Sequence, residues 1–218
     1  AIADASVRAL LRVVIEEMQR QHGKIDGAFV VIGLGRLGAG EMTATSDVDL
    51  MFVYDAAEGA LSDGARSLGA VDYFTRLVRR AVTALSAATE EGALYEVDMQ
   101  LRPSGKAGPA AVSLSAFRRY YEEDAWTWEV MALVKARVIG PDCPLVKGVS
   151  DEIGAILTRV RDAGAAAADA HDMRVRLSEA KPASGPWDVK NASGGLTDIA
   201  FICQYLTITT SGRRGRAP

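Results

Sequence analysis

Metal-binding and redox-active side chains are scarce in this 218-residue chain, which has two cysteines and two histidines. Cys143 and Cys203 lie 60 positions apart with no CxxC partner or neighbouring histidine. That pattern disfavours a structural zinc site and a disulfide framework, and it fits a reducing, cytoplasmic setting. His22 and His171 fall in expected helices with no serine or acid arranged around them, so a hydrolytic triad has no support. Long apolar runs are also lacking: 28–34 and 50–54 are far shorter than the roughly 18 residues of a membrane span, and no signal or transit peptide is expected at the start. Basic surplus is absent too, since 25 Lys+Arg face 28 Asp+Glu for a net charge of -3. A general nucleic-acid binder would carry an excess of positive charge. What is present, 49% hydrophobic and 24% charged residues, is an ordinary globular composition, enough for one large domain or one domain with a small appendage.

Apolar spacings of three and four (Val7, Leu10, Leu11, Val14, Ile15, Met18) predict an amphipathic helix over 2–22. The glycine-bounded run 27–33 and the run 48–54 read as buried strands. A long helix is expected over 64–90 with Leu68, Val71, Phe74, Val78, Val82 and Leu85 on one side, and a third strand over 93–101. Pro103, Gly105, Gly108 and Pro109 force a loop. From Leu114 onward only helices are expected: one capped by Ser113 or Ser115 and carrying Phe117, Tyr120 and Tyr121, then 124–138, 145–163, 171–180 and 196 to about 207. Gly140-Pro-Asp-Cys-Pro144 is the best break in the chain. The order predicts an α+β unit with a helical extension.

The densest segment is Gly33-Leu-Gly-Arg-Leu-Gly-Ala-Gly40, followed by Ser46-Asp-Val-Asp49. GLGRLG matches the dinucleotide fingerprint GxGxxG and follows a strand, with Asp55 at the end of the next one. Only nine residues separate Gly38 from Val48, too few for the crossover helix between parallel strands that an NAD-binding domain needs. The rival is a glycine loop followed by two carboxylates. Asp47 and Asp49, at i and i+2, project from one strand face and repel each other unless a cation lies between them. Mg²⁺ prefers such oxygen ligands and takes one or two carboxylates together with substrate phosphates. Asp98 on the third strand, flanked by Gln100 and Arg102, adds a third acid and suggests a two-metal site for phosphoryl or nucleotidyl transfer.

Four blocks carry a resemblance: GLGRLGAGEMTATSDVDLMFVYD, YEVDMQLRPSGKAGP, AFRRYYEEDAWTWEVMALVKARVIG and GPWDVKNASGGLTDIAFICQYL. Together they closely resemble the glutamine-synthetase adenylyltransferases, a branch of the DNA polymerase β-like nucleotidyltransferases, over residues 1 to about 207. Members of that family are several times longer and hold two such units, one adding AMP and one removing it. EMTATSD and TWEVMAL resemble the adding unit, and the chain is expected to be a fragment of its parent. The resemblance implies a polymerase β-like nucleotidyltransferase domain over 1–142 and the start of an all-α helical domain over 143–210, while the Gly/Arg-rich composition of 211–218 predicts a disordered tail. It implies transfer of AMP from ATP to a tyrosine hydroxyl of glutamine synthetase with Mg²⁺, and regulation of the whole protein by glutamine and a PII-type signal protein. Asp47 and Asp49 match the metal-binding acids, and Asp98 matches the third carboxylate, which ligates metal and helps activate the attacking hydroxyl. Gly38, Ala39 and Ser46, with Arg36 and Arg102, match the ATP-binding positions, backbone N–H groups beside Gly38 receiving the triphosphate.

Four departures stand out. Ala39 replaces a Gly or Ser, Gln100 replaces the Arg of DxRLRP, Ala192-Ser193 replaces a Pro before the double glycine, and Ala200 replaces the Glu of DIEF. Arg36, Arg102, Lys106, Lys135 and Arg137 are available to offset phosphate charge, each also readable as a solvated surface residue. Trp126 and Trp128 read either as an adenine stack or as helix core. The same acids would serve phosphorolytic removal of AMP. The departures and the expected truncation also allow an inactive regulatory fragment.

Overall fold

The computed structural model describes residues 2–90, 92–185 and 187–214. Packing divides the chain into two compact units, Ala1–Glu123 with Lys135–Glu152, and Asp124–Val134 with Ile153–Pro218.

The first unit is built on a mixed sheet. Strands β1 (Gly27–Gly33) and β2 (Val48–Ala56) run antiparallel in continuous register from Gly27↔Ala56 to Gly33↔Leu50. The antiparallel pairing overturns the NAD-binding alternative, which requires parallel neighbours joined by a crossover. The glycine run between them is not a plain loop: Gly35–Ala39 forms the one-turn helix α2, too short for any apolar periodicity to announce.

Both faces of β1 and β2 are covered, which explains why their sequences are continuously apolar and not alternating. On one face lie α1 (Ile2–His22), through Val7, Leu11, Val14 and Met18, and α3 (Ala70–Ser86), through Phe74, Leu77, Val78, Ala81 and Leu85. They pack on Phe29, Val31, Val48, Leu50, Phe52 and Tyr54. Phe74 stacks on Phe29 at 6.0 Å and on Tyr54 at 4.6 Å between ring centroids, which fixes the rotation of α3. Val71, expected on the buried side, is exposed, and the helix is shorter at both ends than the expected 64–90 because Gly69 precedes it and Ala87 leaves it extended. On the opposite face Val30, Ile32, Met51 and Val53 are buried, and α4 (Leu114–Glu123) packs there against β2. Ser113 caps α4, its Oγ accepting the Ala116 N–H at 3.2 Å.

The expected nine-residue third strand is mostly irregular. Ala88–Thr89 (β3) and Gly92–Ala93 (β4) make a separate two-stranded pair. Only Val97–Asp98 (β5) joins the main sheet, parallel to the start of β2, and Val112–Ser113 (β6) pairs in parallel with its end. A strand also appears where helix was expected over 124–138. Thr127–Ala132 is helix α5, Leu133–Lys135 is a 3-10 turn, and Arg137–Gly140 (β7) pairs antiparallel with the far edge of β1. Arg-Val-Ile-Gly is too short to read as a strand locally and becomes one by completing that edge.

α6 (Pro144–Thr158) leads into the second unit, where α5, α7 (Ala163–Ala180) and α8 (Leu196–Arg214) pack on one another. Asp162 caps α7 by accepting the Ala165 N–H at 2.7 Å, so the helix absorbs the alanine-rich run expected to precede it. α8 continues past residue 207 to Arg214, making 211–214 helical where disorder was expected; 215–218 lie outside the described residues. No helix among the described residues is long and apolar enough to cross a membrane.

Candidate functional site

The site lies where β1 ends, α2 turns and β2 begins. The Leu34 N–H donates to the Asp49 carbonyl at 2.9 Å, and Gly33 opposes Leu50 in register. The backbones of the turn and of the first acids are thereby held together. Gly35 has φ +51, and a Cβ built on it would stand 2.1 Å from Asp49 Oδ2. The Asp49 carboxylate therefore rests in the space a side chain at 35 would fill. At Gly38 a Cβ would stand 1.8 Å from the Lys135 carbonyl oxygen, so this glycine exists to let the 135 segment pass. Its N–H donates to the Leu34 carbonyl at 2.8 Å and so closes the turn. Ala39 is exposed beside it.

Across the β2–β5 pairing Asp49 and Asp98 are direct partners, as are Val48 and Val97. Because neighbours in register share a face, the structure brings Asp98 alongside Asp49. Asp47, exposed, comes one residue before β2 begins. Asp98 Oδ1 accepts the Gln100 N–H at 2.7 Å, and Oδ2 accepts the Gln100 side-chain amide at 3.4 Å. Gln100 thus faces Asp98 and orients it. Among the described residues no three acidic, histidine or cysteine side chains converge into a metal cage. The acids lie on neighbouring positions without closing a shell. Such an open oxygen set fits a hard cation whose remaining positions come from substrate phosphates, the usual situation for Mg²⁺. Ser46 closes the loop ahead of Asp47, its Oγ accepting the Thr43 N–H at 3.0 Å and lying 2.8 Å from Thr43 Oγ1.

The basic residues divide by what already holds them. Arg137 donates to both Asp4 carboxylate oxygens at 2.9 and 3.0 Å and to the Leu37 and Gly38 carbonyls at 2.9 and 3.1 Å. It braces α2 against α1, a structural use that displaces its expected part in offsetting phosphate charge. The Asp4 carboxyl is held below the ordinary range chiefly by hydrogen bonding to Arg137, against the opposing effect of burial. Arg102 folds its own loop, donating to the carbonyls of Met99 at 2.7 Å, Pro109 at 3.2 Å and Lys106 at 3.4 Å. Its donors are thus largely engaged within its own 99–109 loop. Lys135 pairs with Glu41 at 3.4 Å, and Arg36 Nε donates to the Glu41 carbonyl at 3.0 Å while staying exposed. Lys106 is exposed. The sequence offered no sign of Asp4 as the partner of Arg137. Gly35, by contrast, was visible inside GLGRLG, although its use against Asp49 was not.

His22 is buried, its Nδ1 2.9 Å from the Arg66 carbonyl, and serves to fix the end of α1. In the second unit Trp126 is exposed and Trp128 half-buried. Arg174 donates through Nε to Asp198, which also accepts the Gly194 N–H at 2.6 Å. The Gly194 backbone bond first, then Arg174, holds Asp198 below the ordinary carboxylate range. Asp198 is thus a loop-organising acid. A cavity of 420 Å³ between α7 and α8 is lined by Ala170, His171, Arg174, Asp198, Phe201 and Tyr205 among others.

These observations define a mixed α/β unit whose candidate centre is the in-register pair Asp49 and Asp98, the first seated against a glycine turn. Residues 1–150 match the family model for glutamate-ammonia ligase adenylyltransferase, and the chain belongs to that family. It is 47% identical over 209 residues to the bifunctional glutamine synthetase adenylyltransferase/adenylyl-removing enzyme of Agrobacterium fabrum, a match covering 95% of this chain and 21% of that protein. The proteins of the same name from Mesorhizobium japonicum and Rhizobium meliloti are 45% and 44% identical over 219 residues, covering the whole chain and 22% of each relative. The chain therefore spans about a fifth of the length of these relatives.

Proposed function

We propose that this chain is a polymerase β-like nucleotidyltransferase unit that transfers AMP from ATP to a tyrosine hydroxyl of glutamine synthetase. The observation that carries the reading is the direct pairing of Asp49 with Asp98 across β2 and β5, with Asp47 two residues upstream and the Gly33–Ala39 turn seated on Asp49. Asp47, Asp49 and Asp98 would hold Mg²⁺, which when bound offsets triphosphate charge and polarises the α-phosphate. Exposed Arg36 and Lys106, with the charge of Arg102, would bias the same region toward an anionic substrate. Ala39 and Ser46 would line the phosphate side of the turn. The tyrosine oxygen attacks the α-phosphorus, its proton passing to Asp98, and the bond from the α-phosphorus to the α,β-bridging oxygen breaks to release pyrophosphate. Gln100, donating twice to Asp98, would aim that carboxylate. Glutamine and a PII-type signal protein would act on the whole protein.

The names of the relatives pair adenylyl transfer with adenylyl removal, which favours one second reading: phosphorolysis of AMP-tyrosine by inorganic phosphate at the same acids. The test is label transfer from α-labelled ATP to glutamine synthetase, run beside release of labelled ADP from adenylylated glutamine synthetase with phosphate. Label transfer lost in both Asp47→Asn and Asp49→Asn, with folding intact, supports the first reading. Phosphate-dependent release alone supports the second. Wild-type rates in either variant, or no activity in the wild-type chain in either direction, defeat both for this chain.

A further inference from the structure

We propose that Gly35 is a positioning residue whose missing side chain forms the notch that holds the Asp49 carboxylate where a cation can use it. The inference rests on the reading of Asp49 as a metal-binding acid.

Three observations combine. First, the clash is specific: a Cβ at 35 would meet Asp49 Oδ2 at 2.1 Å, Asp49 Cγ at 3.0 Å and Asp49 Cβ at 3.6 Å, and these three are its nearest neighbours. All belong to one side chain, and the worst contact is with its movable end. Gly38 differs, because there the obstruction is backbone, Lys135 O at 1.8 Å and Gly33 O at 2.5 Å. Adding a methyl at 35 therefore displaces a carboxylate, whereas adding one at 38 displaces main chain.

Second, the backbone cannot retreat to absorb the methyl. Asp49 is tied through its carbonyl to the Leu34 N–H at 2.9 Å, and its neighbour Leu50 is in register with Gly33. On its other side Asp49 is paired with Asp98, and the preceding Val48 N–H donates to the Glu96 carbonyl at 2.9 Å. With both flanks tied, the methyl bears first on the Asp49 side chain, whose Oδ2 is the atom it meets most closely.

Third, the positive φ of +51 at Gly35 points the α2 turn so that its backbone lies against the carboxylate, a conformation that L-residues with a Cβ seldom adopt. Turn and acid thus share one device. A hard cation demands oxygen ligands in near-ideal geometry, so a rotamer shift at Asp49 weakens coordination even though the residue itself is retained.

The strain of a positive φ must be separated from the displacement of the acid, and Gly59 supplies the control. It has φ +74 with nothing within 4 Å of a built Cβ, so Gly59→Ala carries the backbone strain alone. Mn²⁺ binding is measured by the spin-resonance signal of free Mn²⁺, in the presence of a non-hydrolysable ATP analogue, for wild type, Gly35→Ala, Gly59→Ala and Asp49→Asn. Gly35→Ala should bind Mn²⁺ about tenfold more weakly, the scale seen when a ligand's supporting group is lost, while Gly59→Ala binds as wild type. Thermal unfolding of Gly35→Ala, Asp49→Ala and the double variant gives a second, metal-free readout. The midpoint drop caused by Gly35→Ala should shrink in the Asp49→Ala background, because the atom it strikes is gone. Should Gly35→Ala alone fail to fold, Asp49→Ala must restore folding. Wild-type Mn²⁺ affinity in Gly35→Ala, equal losses in Gly59→Ala, or an undiminished midpoint drop in the double variant overturns the proposal. Wild-type Mn²⁺ affinity in Asp49→Asn would instead defeat the metal-site reading beneath it.

Discussion

The guanidinium of Arg137 forms two hydrogen bonds to the carboxylate of Asp4, 133 residues earlier in the chain, while its Nε and Nη2 also reach the Gly38 and Leu37 carbonyls. One side chain thus joins the start of α1, the end of α2 and the edge strand β7. Both partners are partly exposed, at 39% and 24% of their side chains, so solvent screens the ion pair and the fixed fork geometry carries much of its worth.

Replacing Arg137 by Met should destabilise the first unit by about 2 kcal/mol in urea unfolding, since four charge-assisted bonds are lost but the site is partly solvated. Lys should recover little, because a point charge cannot serve two carboxylate oxygens and two carbonyls together. The Asp4 pKa is lowered in the fold, so the stabilisation from the pair is complete above the ordinary carboxylate range and fades as pH falls through the native value. Arg137→Met should flatten that part of the stability–pH curve; an unchanged curve would contradict the assignment.

Gly38→Ala should cost about 3 kcal/mol, at the upper end for overpacking, because the methyl meets main-chain oxygens. The expected signature is loss of amide-exchange protection in β7. Protection equal to wild type would mean that the 135 segment yields more easily than its packing suggests.

In the second unit Glu129 is buried, and its Oε2 accepts the Trp126 N–H at 2.9 Å at the start of α5. Glu129→Ala should lower stability by about 1–2 kcal/mol, the range for a lost helix cap with a buried donor left behind. Gln keeps an acceptor at the same reach and should retain most of that stability. Equal losses in both variants would show that the charge, and not the cap, matters.

Asp188 is half-buried, and its pKa falls to about 2, first through the Asn191 N–H and then through the Ser184 N–H, with further bonds to Asn191 and Lys190. The unfolded group would titrate near 3.9. The stabilisation that Asp188 draws from these bonds is therefore complete above about pH 4 and should be lost as pH falls through the native value. The Lys190 and Asn191 amide resonances should titrate with a midpoint near that value, about 2. Asp188→Asn should leave them flat. A midpoint close to 3.9 in the wild-type chain would show that the loop bonds do not persist in solution.

Legibility in the sequence followed the range of the interactions. Helix α1 and strands β1 and β2 could be read directly, because their apolar spacing is a local signal that burial on one or both faces imposes. The shortness of the link between Gly38 and Val48 correctly excluded parallel neighbours. Strand β7 was invisible because Arg-Val-Ile-Gly acquires strand geometry only from the open edge of β1, more than a hundred residues away. The third strand was overextended because alternation over 93–101 continues where pairing does not; only Val97 and Asp98 find partners in β2. At the candidate site the acids were legible as types at a spacing. What distinguishes Gly35 from Gly38, a carboxylate behind one and a carbonyl behind the other, exists only once the chain has folded.

The alternation of the two units along the chain has a consequence for synthesis. Residues 124–134 belong to one unit, yet they are flanked on both sides by parts of the other. While residues up to 123 have emerged from the ribosome and 137–140 have not, β1 still shows a bare edge, because β7 is not yet available to pair with it. That edge carries Val31 and Ile32, both fully buried in the finished protein, and an unpaired apolar strand is a template for association with other chains. Sheet completion must therefore wait through the synthesis of α5. A pause that holds 124–136 at the tunnel exit should raise aggregation of the nascent protein more than an equal pause after 137–140 have emerged.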